Sequence, residues 1–230
     1  MQLHAVCAPP LARSPPPLAP VAFATTSVVS LDLSALSITK ASDLLTALES
    51  AAVGGSTPDA GTTVVVVVSL VTAIDVTVPE NKTANDVAAA LSKTICGDPP
   101  SAGCTVVAST RRRLHVQGRP TASRRGLSST SFTATQAVNT SSAAAIPAPT
   151  VDNSALASEL GVGSVTSTVG TSAVKAEVTV TKEGSAASDE ASSTVDTMSN
   201  MGAALANSLG VPSSRITTVV APKVIAPPNP

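Results

Sequence analysis

Residues 64 to 68 are five consecutive valines, and a second apolar stretch follows them closely. Because β-branched side chains restrict rotation about the first side-chain bond and favour extended backbone, the run predicts a strand. The most apolar stretch, residues 64–78, is interrupted by polar residues and is shorter than the roughly 20 apolar residues of a membrane-spanning helix. The sequence therefore predicts no transmembrane segment.

Aromatic residues are nearly missing: the chain has no Trp and no Tyr, and its two Phe are Phe23 and Phe132. Hydrophobic residues still make up 43% of the 230 positions, which excludes general disorder and predicts a core of Val, Leu, Ile and Ala. Single-stranded nucleic acid is usually bound by stacking bases on aromatic rings, and the formal net charge of −1 gives no overall attraction to polyanions. Nucleic acid is therefore not an expected partner.

Hydrophobic periodicity predicts one order of elements twice: strand, helix, strand, strand, helix, strand. The first copy consists of a strand at 27–37, a helix at about 39–53, a hairpin of strands 62–68 and 73–78, a helix that begins at a capping box of Thr83 and Asp86, and a strand at 104–116. The second consists of a strand at 127–138, a helix at about 151–160, a hairpin of SVTSTVG and AVKAEVTVT, a helix at about 188–209, and a strand at 215–225. The words VTV, AAL and TVVA recur in the same order in both copies, which favours an internal duplication.

This order is that of the ferredoxin-like βαββαβ unit, in which both helices cover one face of an antiparallel sheet. The predicted fold class is α+β, with two tandem ferredoxin-like βαββαβ sandwiches and Pro-rich disordered termini. The predicted organisation is a Pro-rich disordered segment 1–26, a first module 27–116, a basic linker 117–127, a second module 128–225 and a Pro-rich tail 226–230.

The valine run does not alternate with polar residues, although a strand with one solvated face should alternate. We therefore expect the open face of the first module to be covered, by the N-terminal segment, by the other module or by a partner. The alternative is that β-branched residues merely suit a strand and that several of them are exposed.

Cys96 and Cys104 flank the turn-rich loop GDPPSAG, so a local disulfide between them is easy to close. Two unrelated thiols are an equally weighted alternative, and Cys7 has no assigned partner. Candidate N-glycosylation sites are Asn81 and Asn139, each the first residue of a sequon near a predicted element end, although about two sequons are expected by chance in a chain so rich in Ser and Thr.

Six of the fourteen basic residues lie around the predicted linker: Arg111, Arg112, Arg113, Arg119, Arg124 and Arg125. They form a candidate contact for a polyanion such as acidic polysaccharide or nucleic acid, or a dibasic processing site. A run of like charges is usually exposed to solvent, so we favour the interpretation that these arginines belong to a solvated strand end and linker.

No pattern predicts catalysis, a cofactor or a metal site. His115 lies beside arginines that disfavour its protonated form, and His4 falls in the Pro-rich segment. The cysteines and histidines lack the spacing of metal ligands, and the paired carboxylates Asp189 and Glu190 suit the first turn of a helix. We predict no catalytic residue, no bound cofactor and no enzyme activity; a hydrolase using His115 is the least favoured alternative.

The predicted βαββαβ units, the segments RRGLSSTSFTATQAVNTSSA and AEVTVTKEGSAASDEA, and the flanking SPPPLAP and APPNP resemble repeat modules of hydroxyproline-rich extracellular or cell-wall proteins of green algae. The resemblance implies a matrix or surface role, with prolines next to Ser as sites of hydroxylation and O-glycosylation. The order of elements also resembles SEA modules, which cleave themselves at a Gly-Ser in the hairpin between the second and third strands. Here Gly163-Ser164 lies at the start of the predicted second strand, so no cleavage is predicted.

The expected function is that of a non-enzymatic structural or interaction protein of the extracellular matrix, cell wall or cell surface, with matrix polysaccharide or another protein as partner. The alternative is an intracellular ligand-binding or regulatory protein that uses the same modules. The N-terminus MQLHAVCAPPLARSPPPLAP lacks the basic region and apolar core of a secretory signal, so the extracellular expectation depends on the resemblance and on Met1 not being the biological start.

Overall fold

The computed structural model describes residues 21–32, 40–58, 60–79, 81–109, 127–142, 146–184 and 187–224. These residues form the following elements in chain order: β1 (Val21–Asp32), α1 (Ala41–Ala52), β2 (Thr62–Pro79), α2 (Ala84–Cys96), β3 (Thr105–Ala108), β4 (Leu127–Ala137), α3 (Asn153–Leu160), β5 (Thr166–Gly184), α4 (Ala187–Leu209), a 3-10 turn (Ser213–Arg215) and β6 (Ile216–Val224).

The six strands form one antiparallel sheet in the order β3-β4-β2-β5-β1-β6. The prediction of two tandem ferredoxin-like βαββαβ sandwiches is therefore wrong. The error lies in β2 and β5, which were predicted as hairpins and are single strands of 18 and 19 residues. Because β2 pairs with β5 along nearly its whole length, the segments 27–116 and 128–225 do not form separate sheets.

The chain continues through both predicted turns for local reasons. The segment SLVTA at 69–73 contains none of the Gly, Pro, Asn or Asp residues that turns favour, so β2 stays extended. In β5, two residues between Val169 and Ser172 face a single residue of β2, which is a β-bulge. Gly170 lies in this bulge, where a Cβ atom would approach the carbonyl oxygen of Ala73 to 3.3 Å. Glycine here allows a close approach of two strands and does not reverse the chain.

The middle of the chain forms one half of the sheet. We call residues 72–171 the inner half; its strand order is β3-β4-β2-β5. Residues 21–71 and 172–224 are the outer half, with the order β2-β5-β1-β6. The buried Thr72 hydroxyl lies 2.9 Å from the Ser172 hydroxyl at the boundary between the halves. The inner half is thus an insertion between two parts of the outer half, and both halves share β2 and β5.

All four helices lie on one face of the sheet, over two separate hydrophobic clusters. In the outer half α1 packs against α4, and the cluster includes Val29, Leu31, Leu44, Leu48, Val68, Val178, Met198, Met201 and Leu205. In the inner half α2 packs against α3, and the cluster includes Ile74, Val76, Val87, Leu91, Phe132, Leu156 and Leu160. The predicted aliphatic core is confirmed, with Phe132 in one cluster and two methionines of α4 in the other.

The capping box predicted for α2 is confirmed. The Thr83 hydroxyl accepts a hydrogen bond from the Asp86 backbone amide at 3.2 Å, and Asp86 Oδ2 accepts from the Thr83 amide at 2.9 Å. The hydroxyl of Thr83, and then its backbone amide, hold the pKa of Asp86 below its ordinary value by hydrogen bonding to the carboxylate. At the other end of the helix, Lys93 Nζ donates to Glu159 Oε2 of α3 at 3.0 Å, which raises the pKa of Lys93.

Strands β1 and β6 correct the predicted ends of the folded region. Residues 21–26 were predicted as disordered, but they form the first half of β1, and Phe23 is buried there. Phe23 lies opposite Val224, so the start of β1 and the end of β6 are neighbours at one end of the outer half. β6 is an edge strand, and Pro222 removes one of its backbone donors, which disfavours pairing with a strand of another chain.

Candidate interaction surface

One face of the sheet carries none of the described helices, and we call it the open face. Along β2 the even-numbered side chains point towards the helices, and those from Val68 to Val78 are buried. The odd-numbered side chains point to the other side, where Val65 is 52% exposed and Val67 is 60% exposed. Paired residues of antiparallel strands project to the same side of the sheet. The pairing with β2 therefore shows which side chains of the other strands lie on the open face.

Valines and one carboxylate form a row across the open face of the outer half. Val219 of β6 lies opposite Val28 of β1, Val28 lies opposite Glu177 of β5, and Glu177 lies opposite Val67 of β2. Val219 is 60% exposed, as strongly as Val67. The described residues thus leave this apolar row uncovered, so neither the inner half nor any described segment provides the cover expected from the sequence.

Hydroxyl groups fill most other positions of the open face and bond to one another across the strands. The Thr26 and Thr179 hydroxyls lie 3.1 Å apart between β1 and β5. In the inner half, the Ser131 hydroxyl donates to the Asp75 carboxylate between β4 and β2. These short side chains bond to one another, and the valines project from the surface that they form.

The charges near the centre of the open face are Lys175 and Glu177. They lie two residues apart on β5 and are therefore on the same side of the sheet, separated by about 7 Å along the strand. Both are exposed, and neither forms an ion pair with another residue of the described ranges. Glu177 belongs to the valine row, and Lys175 lies in the next row between Ser30 and Ser69, so an anion and a cation are neighbours on this face.

A groove of ≈ 320 Å³ lies on the helix side, where the two halves meet. Its walls include Ala41 at the start of α1, Leu70 of β2 and Gln136 of β4. In the segment after β4, Val138, Ile146 and Pro147 add apolar walls and Asn139 and Ser142 add polar ones, and none of the described lining residues is charged. The groove can hold a small neutral molecule, and its described lining residues include no acid or base.

The structure joins Cys96 and Cys104 in a disulfide that links the end of α2 to the residue before β3. Both cysteines are at most 8% exposed. Asn81 lies just before α2 and Asn139 lies just after β4, and both side chains are exposed. The Asn139 side-chain oxygen accepts hydrogen bonds from the Ser141 amide at 3.1 Å and the Ser141 hydroxyl at 2.6 Å. Glycans on either asparagine would project into solvent.

Several candidate residues lie outside the described ranges. They are Cys7, His4, His115 and the six arginines Arg111, Arg112, Arg113, Arg119, Arg124 and Arg125. The polyanion contact therefore stays a prediction. Asp189 and Glu190 are the third and fourth residues of α4, in its first turn as predicted. Gly163-Ser164 precedes β5 and does not occupy a hairpin turn.

The described ranges contain no group of three or more His, Cys, Asp or Glu placed to hold a metal ion. None of their helices combines the length and apolar character needed to cross a membrane. The sequence matches no protein-family model, and no curated protein or solved structure is significantly similar to it. The geometry of the described residues is therefore the basis for proposing a function.

The open face and the residues that form it were only partly predictable from the sequence. A sheet face without helices and an unusual valine run were both expected, but that face was expected to be covered, whereas Val65 and Val67 are exposed on it. Val28, Glu177 and Val219 were missed, because they join the row through pairings of β1, β5 and β6 that are distant in sequence. Lys175 and Glu177 at alternate positions of AVKAEVTVT were the available indication that β5 presents charges on one side.

Proposed function

We propose that the chain is a non-enzymatic structural or interaction protein of the extracellular matrix, cell wall or cell surface. The observation that carries the proposal is the pairing of Cys96 with Cys104, both buried, because disulfides persist in oxidising compartments. The exposed sequon asparagines Asn81 and Asn139 support it, since a glycan is tolerated at both. The open face provides a surface for contacts with a partner.

Intact-mass analysis of the protein from its native source tests this proposal. We expect a mass lower by two hydrogens than that of the chain with Cys96 and Cys104 reduced, together with hexose or pentose additions. A reduced chain without any glycan would contradict an extracellular role.

Urea unfolding with and without reductant tests the disulfide itself. Closing this short loop restricts the unfolded chain, so reduction should lower the free energy of unfolding by about 2–3 kcal/mol. The control is the double variant Cys96→Ser/Cys104→Ser, whose stability should not respond to reductant. Equal stability of the wild-type protein in both conditions would show that the two thiols do not pair.

A second candidate function is the binding of a small neutral ligand, and the groove between the halves favours it. Its volume of ≈ 320 Å³ falls in the usual range of small-molecule sites, about 300–1,000 Å³. Native mass spectrometry of the purified protein distinguishes the two functions. A stoichiometric small apolar molecule released on denaturation would favour ligand binding, whereas a ligand-free glycoprotein would favour the structural role.

A further inference from the structure

The strongly exposed large apolar side chains of the described ranges all lie on strands. They are Val65, Val67, Val107, Val169 and Val219. Register places all but Val169 on the open face, and three of them lie in the outer half. Exposed apolar groups concentrated on one flat surface are typical of a contact site, whereas single exposed ones are common on any protein.

The charges of this surface are complementary to a copy of themselves. Lys175 and Glu177 are neighbours on one side of β5, of opposite sign, and without ion-pair partners within the described ranges. Consider two copies whose open faces are stacked, with a twofold axis between the two sheets. If the axis runs perpendicular to β5 and passes midway between these two residues, each Lys175 lies against the Glu177 of the other copy. Two ion pairs then form from one surface, which is the self-complementary contact of a symmetric dimer.

We infer that the open face of the outer half binds the same face of a second copy of this chain. With this axis the valine row of each copy is covered by the row of Ser30, Ser69 and Thr217 of the other copy. The two ion pairs fix the alignment of the sheets, because buried ion pairs specify orientation better than they stabilise. The inference goes beyond the proposed extracellular role, since dimerisation does not depend on the compartment.

The available area is sufficient for a reversible dimer. Four strands spaced about 4.8 Å apart, over about ten residues that rise about 3.3 Å each, present roughly 600 Å² per copy. A dimer would bury roughly 1,200 Å² in total, at the lower end of the range for stable specific interfaces. We therefore expect exchange between monomer and dimer at accessible protein concentrations.

Other occupants fit the surface less well. Residues 1–20 and 225–230 contain no acidic side chain, so neither segment can neutralise Lys175 with one. A polysaccharide chain usually packs its sugar rings on aromatic side chains, and the chain has no Trp or Tyr and only two Phe, both on the buried side. A second copy satisfies both charges at once.

Sedimentation velocity of the full chain over a range of concentrations tests the inference. Wild-type protein should show a monomer–dimer equilibrium. Lys175→Glu and Glu177→Lys should each raise the dissociation constant at least 100-fold, because each converts two attractive contacts into two repulsive ones, at roughly tenfold per contact. A 1:1 mixture of the two variants should form a heterodimer, since every facing pair is then of opposite charge.

The control is Glu49→Lys, which changes an exposed charge on α1, on the opposite side of the sheet, and should leave the dissociation constant unchanged. Circular dichroism should show an unaltered fold for all variants. A wild-type protein that stays monomeric at all concentrations overturns the inference. So does a dimer that Lys175→Glu leaves intact, or a mixture that does not associate. A monomeric, disulfide-bonded glycoprotein would contradict the dimer while leaving the extracellular role in place.

Discussion

Strand β1 carries two hydroxyl groups into the core of the outer half. Thr25 and Ser27 are completely buried on the helix side, and their hydroxyl oxygens have no hydrogen-bond partner within the described ranges. The buried Thr218 hydroxyl of β6 also has no hydrogen-bond partner within the described ranges. A buried polar group without a partner destabilises the folded state, because it loses its bonds to water. These residues therefore lower the stability of the outer half.

Removing these hydroxyls should make the protein more stable. Thr25→Val keeps the shape of the side chain, and Ser27→Ala removes only the oxygen, so each should raise the free energy of unfolding by about 1 kcal/mol or more. Urea unfolding measures the change. The matched control is Thr26→Val on the open face, whose hydroxyl pairs with that of Thr179 and whose replacement should bring no gain. A loss of stability in Thr25→Val would show that its hydroxyl has a partner.

Single residues were predictable where the relevant contacts are local. The Thr83–Asp86 capping box was predicted correctly because its two partners are three residues apart and bond only to each other's side chain and backbone. The unpaired hydroxyls of β1 were not predictable. Residues 21–26 follow a Pro-rich segment, and only the pairing of β1 with β5 and β6 makes them part of the core.

Among the elements, helices were predicted more accurately than strands. All four described helices lie within two residues of their predicted positions, since each carries an apolar stripe and most end at a glycine such as Gly97, Gly161 or Gly210. The two hairpins were wrong, because a change of apolar rhythm was interpreted as a turn. A bulge in β5 produces the same change of rhythm, and only the partner strand distinguishes the two.

Contact between α4 and β6 depends on a glycine within the helix. A Cβ atom at Gly202 would lie 2.6 Å from the Thr218 hydroxyl oxygen, closer than real contacts allow. Glycine within a helix costs about 1 kcal/mol relative to alanine. The packing gained by the close approach of the helix to the sheet offsets this loss of helix propensity.

Gly202→Ala should therefore lower the free energy of unfolding, although it improves helix propensity. In a Thr218→Ala background the obstructing oxygen is gone, and the same substitution should raise stability by up to about 1 kcal/mol. Urea unfolding of both single variants and the double variant gives the coupling between the two positions. Equal effects of Gly202→Ala in the two backgrounds would show that α4 does not press on Thr218.

At the scale of the whole molecule, one half of the sheet is inserted into the other. The two hydrophobic clusters are separate, yet β2 and β5 run through both of them. Each half thus has its own core and shares its central strands with the other half. We expect the shared strands to make the two halves unfold together.

Leu91→Ala in the inner cluster tests this cooperativity. Leu91 is fully buried, and the cavity left by the substitution should cost about 2–5 kcal/mol. Amide hydrogen exchange should show an equal loss of protection in the inner strands and in residues 64–68 of β2, which belong to the outer half. Leu48→Ala is the counterpart in the outer cluster, and it should lower amide protection in the inner strands as much as in the outer ones. Wild-type protection of residues 64–68 in Leu91→Ala would show that the halves unfold independently.

The neighbouring ends of β1 and β6 have a mechanical consequence. Phe23 lies opposite Val224, so tension applied through the flanking segments pulls apart two adjacent antiparallel strands from their shared end. Hydrogen-bonded pairs loaded in this way break one after another, whereas strands pulled along their length must break many pairs at once. The outer half should therefore open at low force and lengthen the chain under load.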